Sequence, residues 1–89
     1  MASYKVEWKQ SAVKELRKLD KSAIAVIINA IENLSSNPYP TGIRKLRGTD
    51  YIYRLRVGQY RIIYSIHSEI LVVEIIRIGH RKNIYKNKG

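Results

Sequence analysis

The side chains able to act on an anion fall in two stretches. YIYRLRVGQYRIIY (residues 51–64) sets Arg54, Arg56 and Arg61 into an otherwise apolar pattern, and RIGHRKNIY (77–85) adds His80, Arg81, Lys82 and Tyr85. Arginine presents a planar fork suited to bidentate phosphate contact and keeps its charge at any relevant pH. Histidine can transfer a proton near neutrality. Tyrosine can stack on a base or, among several cations, become easier to ionise. Together these groups could bind a phosphate and move protons beside it. His67, near an expected turn, has no such neighbours and reads as surface.

Other chemistries find no support. His67 and His80 do not make a metal-ligand spacing, no acidic cluster suits magnesium, and there is no cysteine. No glycine-rich phosphate loop is present. The expectation is therefore no cofactor and no metal. RNA makes metal-free phosphoryl chemistry feasible, because its own 2′-OH can attack the adjacent phosphate. The protein then needs only to position the strand, move protons and stabilise the charge that develops. General acid–base groups contribute about 10²- to 10⁴-fold, and fixed charge aimed at the transition state comparably or more.

Elements of regular structure must hold these residues. YKVEWK (4–9) alternates, with Tyr4, Val6 and Trp8 on one side, and reads as a half-buried strand. A short helix follows, with Ser11 as candidate N-cap and Ala12, Val13, Leu16 and Leu19 on one face. A second helix starts near Lys21 or Ser22, capped by Asp20 or Ser22, with Ala23, Ile24, Ile27, Ile28, Ile31 and Leu34 as its apolar stripe. SSNPYPTG (35–42) breaks it, and IRKLRGTD (43–50) reads as a basic connector.

The opening stretch then forms a hairpin around Gly58–Gln59, a type II′ signature. In that register Val57 pairs with Tyr60, Leu55 with Ile62, Tyr53 with Tyr64 and Tyr51 with Ile66, all on one face. Ser68–Glu69 suggests another turn, and ILVVEIIRI (70–78) a nearly continuously apolar strand of the central kind. The basic tail, about 80–89, is expected to be only partly ordered. The order β-α-α-β-β-β makes an α+β fold, a helical hairpin on one face of a small, mainly antiparallel sheet.

That register sets Arg56 opposite Arg61, with Arg54 alongside, and like charges directly opposite destabilise a sheet. A local rule broken without visible compensation is where a functional site is expected. The plainer alternative is that the side chains splay into water, or that Glu74 on the next strand neutralises one of them. Overall charge favours the site. Seventeen Lys and Arg against seven Asp and Glu give +10, of which residues 1–43 carry +2 and residues 44–89 carry +8. All the arginines except Arg17 lie in that second half. Such asymmetry points to a polyanionic partner, nucleic acid first. Eighty-nine residues form one small domain, and neither a signal-peptide core nor a membrane-length apolar run is visible. A soluble cytoplasmic protein with no membrane partner is expected.

Three motifs in order, KLRG (45–48), YRLRVGQYRIIY (53–64) and IIRIGHRKNIY (75–85), resemble the RelE branch of the RelE/ParE toxin superfamily. The resemblance spans nearly the whole chain, residues 1–89 as one toxin domain. It implies the toxin of a type II toxin–antitoxin system: a ribosome-dependent endoribonuclease that cuts mRNA in the A site and inhibits translation. It also implies a cognate antitoxin, wrapping the toxin with acidic and apolar segments in a hetero-oligomer. Carried over by position, Arg61 matches a phosphate-binding arginine, and Arg81 and Tyr85 match a basic residue and a tyrosine that take part in cleavage. His80 stands where relatives vary. Arg54 and Arg56 occupy basic positions on a strand, and Lys45, Arg47 and Lys82 extend the phosphate-binding set. Arginine at 54 and 56 departs from relatives with lysine there and argues against a general base at either position. The resemblance thus implies Tyr85 or His80 as acceptor of the 2′-OH proton, Arg81 on the leaving-group side, and Arg61 with Arg56 on the phosphate. Other readings are a ParE-like inhibitor of DNA gyrase, a basic RNA-binding module without catalysis, and an inactive toxin-like protein that only binds an antitoxin-like partner.

Overall fold

The computed structural model describes residues 3–82. Seven elements run in the order β1 (Lys5–Trp8), α1 (Gln10–Arg17), α2 (Lys21–Ser36), β2 (Arg44–Lys45), β3 (Ile52–Val57), β4 (Tyr60–His67) and β5 (Val72–His80). They form one five-stranded sheet in the order β1-β5-β4-β3-β2. Both helices contribute side chains to a single core on one face of that sheet. The sheet is mixed: β1 runs parallel to β5, and the other pairs are antiparallel. No helix among the described residues is long and apolar enough to cross a bilayer.

The apolar stripes meet as their spacing requires. Ile27, Ile31 and Leu34 of α2 and Ala12 of α1 pack against Ile62, Tyr64 and Ile66 of β4 and Val73, Ile75 and Ile78 of β5. β4 and β5 sit inside the sheet, so their inward side chains are the most buried. Tyr64 is fully buried, and its hydroxyl donates to the Pro38 carbonyl at 3.0 Å. That bond satisfies a polar atom that would otherwise be costly inside. Burial pushes the phenol of Tyr64 well above its usual range.

The hairpin has the expected register: Val57 faces Tyr60, Leu55 faces Ile62, and Tyr53 faces Tyr64. Gly58 takes φ +59 while Gln59 stays out of the left-handed region, as a II′ turn requires. Asp20 caps α2, accepting from the Ala23 N–H at 2.8 Å and the Ser22 hydroxyl at 2.9 Å. These bonds hold its carboxyl below the ordinary value.

Three local expectations need correction. Ser11 is not the cap of α1; the extended residue there is Lys9. The Lys9 N–H still donates to the Ile75 carbonyl, so the helix starts directly from the end of β1. The connector 43–50 contains the two-residue strand β2, whose Arg44 and Lys45 pair with Arg54 and Tyr53. The last turn is longer than Ser68–Glu69, because Leu71 takes φ +56 and β5 begins at Val72, leaving Ile70 and Leu71 exposed. Within β5, Ile63 pairs with Arg77 but Tyr64 pairs with Ile75, so Ile76 is an extra residue that forms a β-bulge.

The bulge falls where β5 loses its outer neighbour. β1 accompanies β5 only from Val72 to Ile75. Beyond that point Glu15, on α1, reaches the strand: its carboxylate accepts from the Ile78 N–H at 2.8 Å and from Arg77 Nη2 at 3.1 Å.

Candidate phosphate-binding site

Alternation along β3 sends Leu55 and Val57 toward the core and Arg54 and Arg56 to the other face. Along β4, Ile62 and Tyr64 go inward and Arg61 goes outward. The ladders then set Arg56 beside Arg61, and Arg44 of β2 beside Arg54. Four arginines from three strands line one cleft of about 370 Å³, together with Gly42. On β5 the partner of Arg61 is Gly79, which has no side chain. An adjoining hollow of about 540 Å³ shares Arg44 and Arg54 and adds Lys45, Leu46 and Arg47. The two hollows therefore form one basic track.

In-register neighbours have Cβ atoms only about 4.5–5.5 Å apart, a separation at which like charges repel. Arg56 is exposed, and its Nε donates to the Gly58 carbonyl at a long 3.5 Å. Glu74 is in no position to neutralise this group. It lies opposite Ser65 and beside Glu7, four residues along the ladder from the Arg61–Gly79 pair. At about 3.3 Å per residue that is about 13 Å. A cleft with four adjacent guanidinium groups favours an anion with several oxygens, and a phosphodiester is of that kind.

Sequence reasoning brought together Arg54, Arg56 and Arg61, and the structure does the same. Lys45 and Arg47 lie on the adjoining hollow. Arg44 was missed, because a strand of two residues gives no period to read. Its only sequence signal is its place next to Lys45 in a basic run.

The structure does not bring His80 to the arginines. His80 pairs with Tyr60, on the helix side of the sheet, and its ring meets Tyr60 edge-on at 5.8 Å. Its Nε2 lies 3.2 Å from Gln59 Oε1, and its Nδ1 accepts from the Lys82 N–H at 3.1 Å. The physical reason is the pleat: adjacent residues of a strand point to opposite faces, and Gly79 occupies the arginine side. Arg81 follows β5 directly, and its N–H donates to the Gln59 carbonyl at 2.9 Å, which ties it to the hairpin turn. Arg81 and Lys82 are exposed at that end of the sheet. Tyr85 lies outside the described residues.

The sequence matches the model of a family described as the ParE toxin of type II toxin–antitoxin system, parDE, over residues 6–85. The chain belongs to the RelE/ParE toxin superfamily. Within it, this is a RelE-like toxin. Toxin RelG of Mycobacterium tuberculosis is 34% identical over 87 residues, covering 93% of this chain and 97% of the relative. The toxin also superposes on the archaeal RelE–RelB complex from Pyrococcus horikoshii OT3, with a TM-score of 0.81 and 30% identity over 91% of this chain and 98% of that one. The RelBE2 toxin–antitoxin complex of Mycobacterium tuberculosis gives 0.79 and 30% over 90% and 100%. The two helices on a five-stranded sheet are thus the RelE fold, and the arginine cleft is what this RelE-like toxin builds on its uncovered face.

Proposed function

We propose that this RelE-like toxin is a ribosome-dependent endoribonuclease of the cytoplasm that cuts mRNA in the A site and so inhibits translation. The observation that carries the reading is the cleft in which Arg44, Arg54, Arg56 and Arg61 converge from three strands. A phosphodiester placed there has its non-bridging oxygens among guanidinium groups that stabilise the extra charge of a five-coordinate phosphorus. The 2′-oxygen of the preceding nucleotide bonds to phosphorus and the bond to the 5′-oxygen breaks. The 2′-OH proton passes to a base, and the 5′-oxygen takes a proton as it leaves. Arg61 and Arg56 act on the phosphate, and Arg81 acts on the leaving-group side. Arginine is a poor proton acceptor, so that role falls to Tyr85, with His80 set apart by its packing on Tyr60. Too few proton-transfer groups for a complete site is what dependence on the ribosome would require.

The complexes named above hold each relative with its antitoxin. For this toxin we assign a partner of the same kind, with acidic and apolar segments that cover the arginine cleft.

The test adds the purified toxin to a translating bacterial extract with a defined mRNA and maps new 5′ ends by primer extension. Cuts should appear only with ribosomes, fall by about 10²- to 10³-fold in Arg61→Ala, and weaken in Tyr85→Phe. Intact mRNA with DNA damage in expressing cells would reassign the toxin to gyrase. Salt-sensitive RNA binding without any product would make it a binding module.

A further inference from the structure

We infer that Glu15, on α1, is a positioning residue for cleavage; this rests on the endoribonuclease reading above. Its carboxylate holds the end of β5, which carries Gly79 and leads into Arg81, in place against β4.

β5 is held differently along its two halves. Up to Ile75 the strand is held on both sides, by β1 and by β4. The bulge at Ile76 then shifts the register, and β1 is no longer alongside. Val57 and Tyr60 close the hairpin as a hydrogen-bonded pair, so backbone groups of Arg61 point toward β5 and those of Gly79 point back. The N–H of Ile78 must therefore point the other way, toward the edge that β1 has left. Glu15 Oε1 accepts that N–H at 2.8 Å, and Glu15 Oε2 accepts from Arg77 Nη2 at 3.1 Å. The two side chains are only 26% and 32% exposed. A carboxylate that accepts a backbone N–H in partial burial forms one of the stronger hydrogen bonds available to a protein. Arg77 supplies the counter-charge that makes the arrangement tolerable away from water.

The position of this clasp is what gives it a catalytic consequence. Ile78 is one residue from Gly79, the ladder partner of Arg61, and three from Arg81. Releasing the edge of the strand at Ile78 lets the bulged segment shift, and Arg81 shifts with it. Misplacing a reacting group by about 1 Å can cost about 100-fold in rate. Arg44, Arg54 and Arg56 stand on β2 and β3, which do not pair with β5, so substrate binding should survive.

Three variants are compared with the wild type in the translating extract, with rate measured against ribosome concentration and thermal unfolding followed in parallel. Glu15→Ala should lower kcat by about 10- to 100-fold and leave KM unchanged. Glu15→Asp, one methylene too short to hold both partners, should fall between Ala and wild type. Glu15→Gln keeps an oxygen for the Ile78 N–H and should stay within about threefold of wild type, although it loses the pairing with Arg77. If Glu15→Ala does not fold, Glu15→Asp and Glu15→Gln decide the matter. Wild-type kcat in Glu15→Asp, an equal loss in Glu15→Asp and Glu15→Gln, or a rise in KM with kcat unchanged would each overturn the inference while leaving the endoribonuclease reading intact. A wild-type protein that makes no cuts would overturn that reading itself, and with it this role.

Discussion

The two faces of β3 and β4 are built from alternate residues of the same fourteen-residue stretch, and they obey opposite rules. Leu55, Val57, Ile62 and Tyr64 close over the helices with no charge among them. Arg54, Arg56 and Arg61, one residue away in each case, crowd like charges where a stable sheet would alternate them. The apolar face supplies stability, and the basic face gives some of it up. That division means that neighbouring positions should fail in different ways.

Ile62→Ala and Arg61→Ala provide the sharpest contrast. Emptying the fully buried Ile62 site should destabilise the toxin by about 2–5 kcal/mol, visible as a large fall in melting temperature. Arg61→Ala should leave melting nearly unchanged and remove most cleavage. Equal melting of the two variants would break the division.

Arg56→Glu replaces a like-charge pair with an opposite-charge pair. It should raise stability by about 0.2–1 kcal/mol in chemical denaturation while weakening RNA binding. The slope of log affinity against log salt should shrink by about 0.7 or more, as expected for one lost phosphate contact to a single strand. A variant that loses both stability and binding would mean that the arginines hold the fold together.

Tyr64→Phe sits on the apolar face, where only the bond to Pro38 is lost. It should cost about 1 kcal/mol in stability with cleavage unchanged. The pH dependence has a definite sign. The folded phenol resists ionisation, so its contribution is intact below the unfolded value of about 10 and declines as pH rises through the folded one. Wild-type melting should therefore fall more steeply above pH 10 than that of Tyr64→Phe.

The smallest effect belongs to Asp20, the exposed cap at the start of α2. Its carboxyl is held low by the Ala23 N–H and the Ser22 hydroxyl. The stabilisation is present above the unfolded value of about 3.9 and is lost as pH falls through the folded one. Asp20→Asn, still a good cap, should give a slightly shallower loss of melting temperature in acid.

The hairpin was legible because two independent signals agree: alternation in both strands, and a glycine-first turn that fixes how they meet. α2 was legible because six apolar residues keep helical spacing and Asp20 stands just before them. β5 was only half legible. Its nearly unbroken apolar run gives no alternation, so the late start at Val72 and the bulge at Ile76 leave no mark in the sequence. The same gap hid which face His80 occupies, since its position depends on the register between β4 and β5. β2 was illegible for want of length, and Arg44 went with it. The clasp by Glu15 joins residues 62 and 63 positions apart, a separation at which local pattern has nothing to say.

The parallel pairing of β1 with β5 joins the first strand of the sheet to the last. The hairpin of β3 and β4 needs only sixteen consecutive residues, 52–67, and can form as soon as they exist. β1 must wait for Val72–Ile75, more than sixty residues later, before it has a neighbour. Long-range pairing of this kind is slow to close, and on a ribosome it cannot begin until β5 has left the exit tunnel. The toxin therefore completes its sheet only after β5 has been made. A chain cut short before Val72 would carry Arg44, Arg54, Arg56 and Arg61 yet lack the strand that bears Gly79 and leads into Arg81.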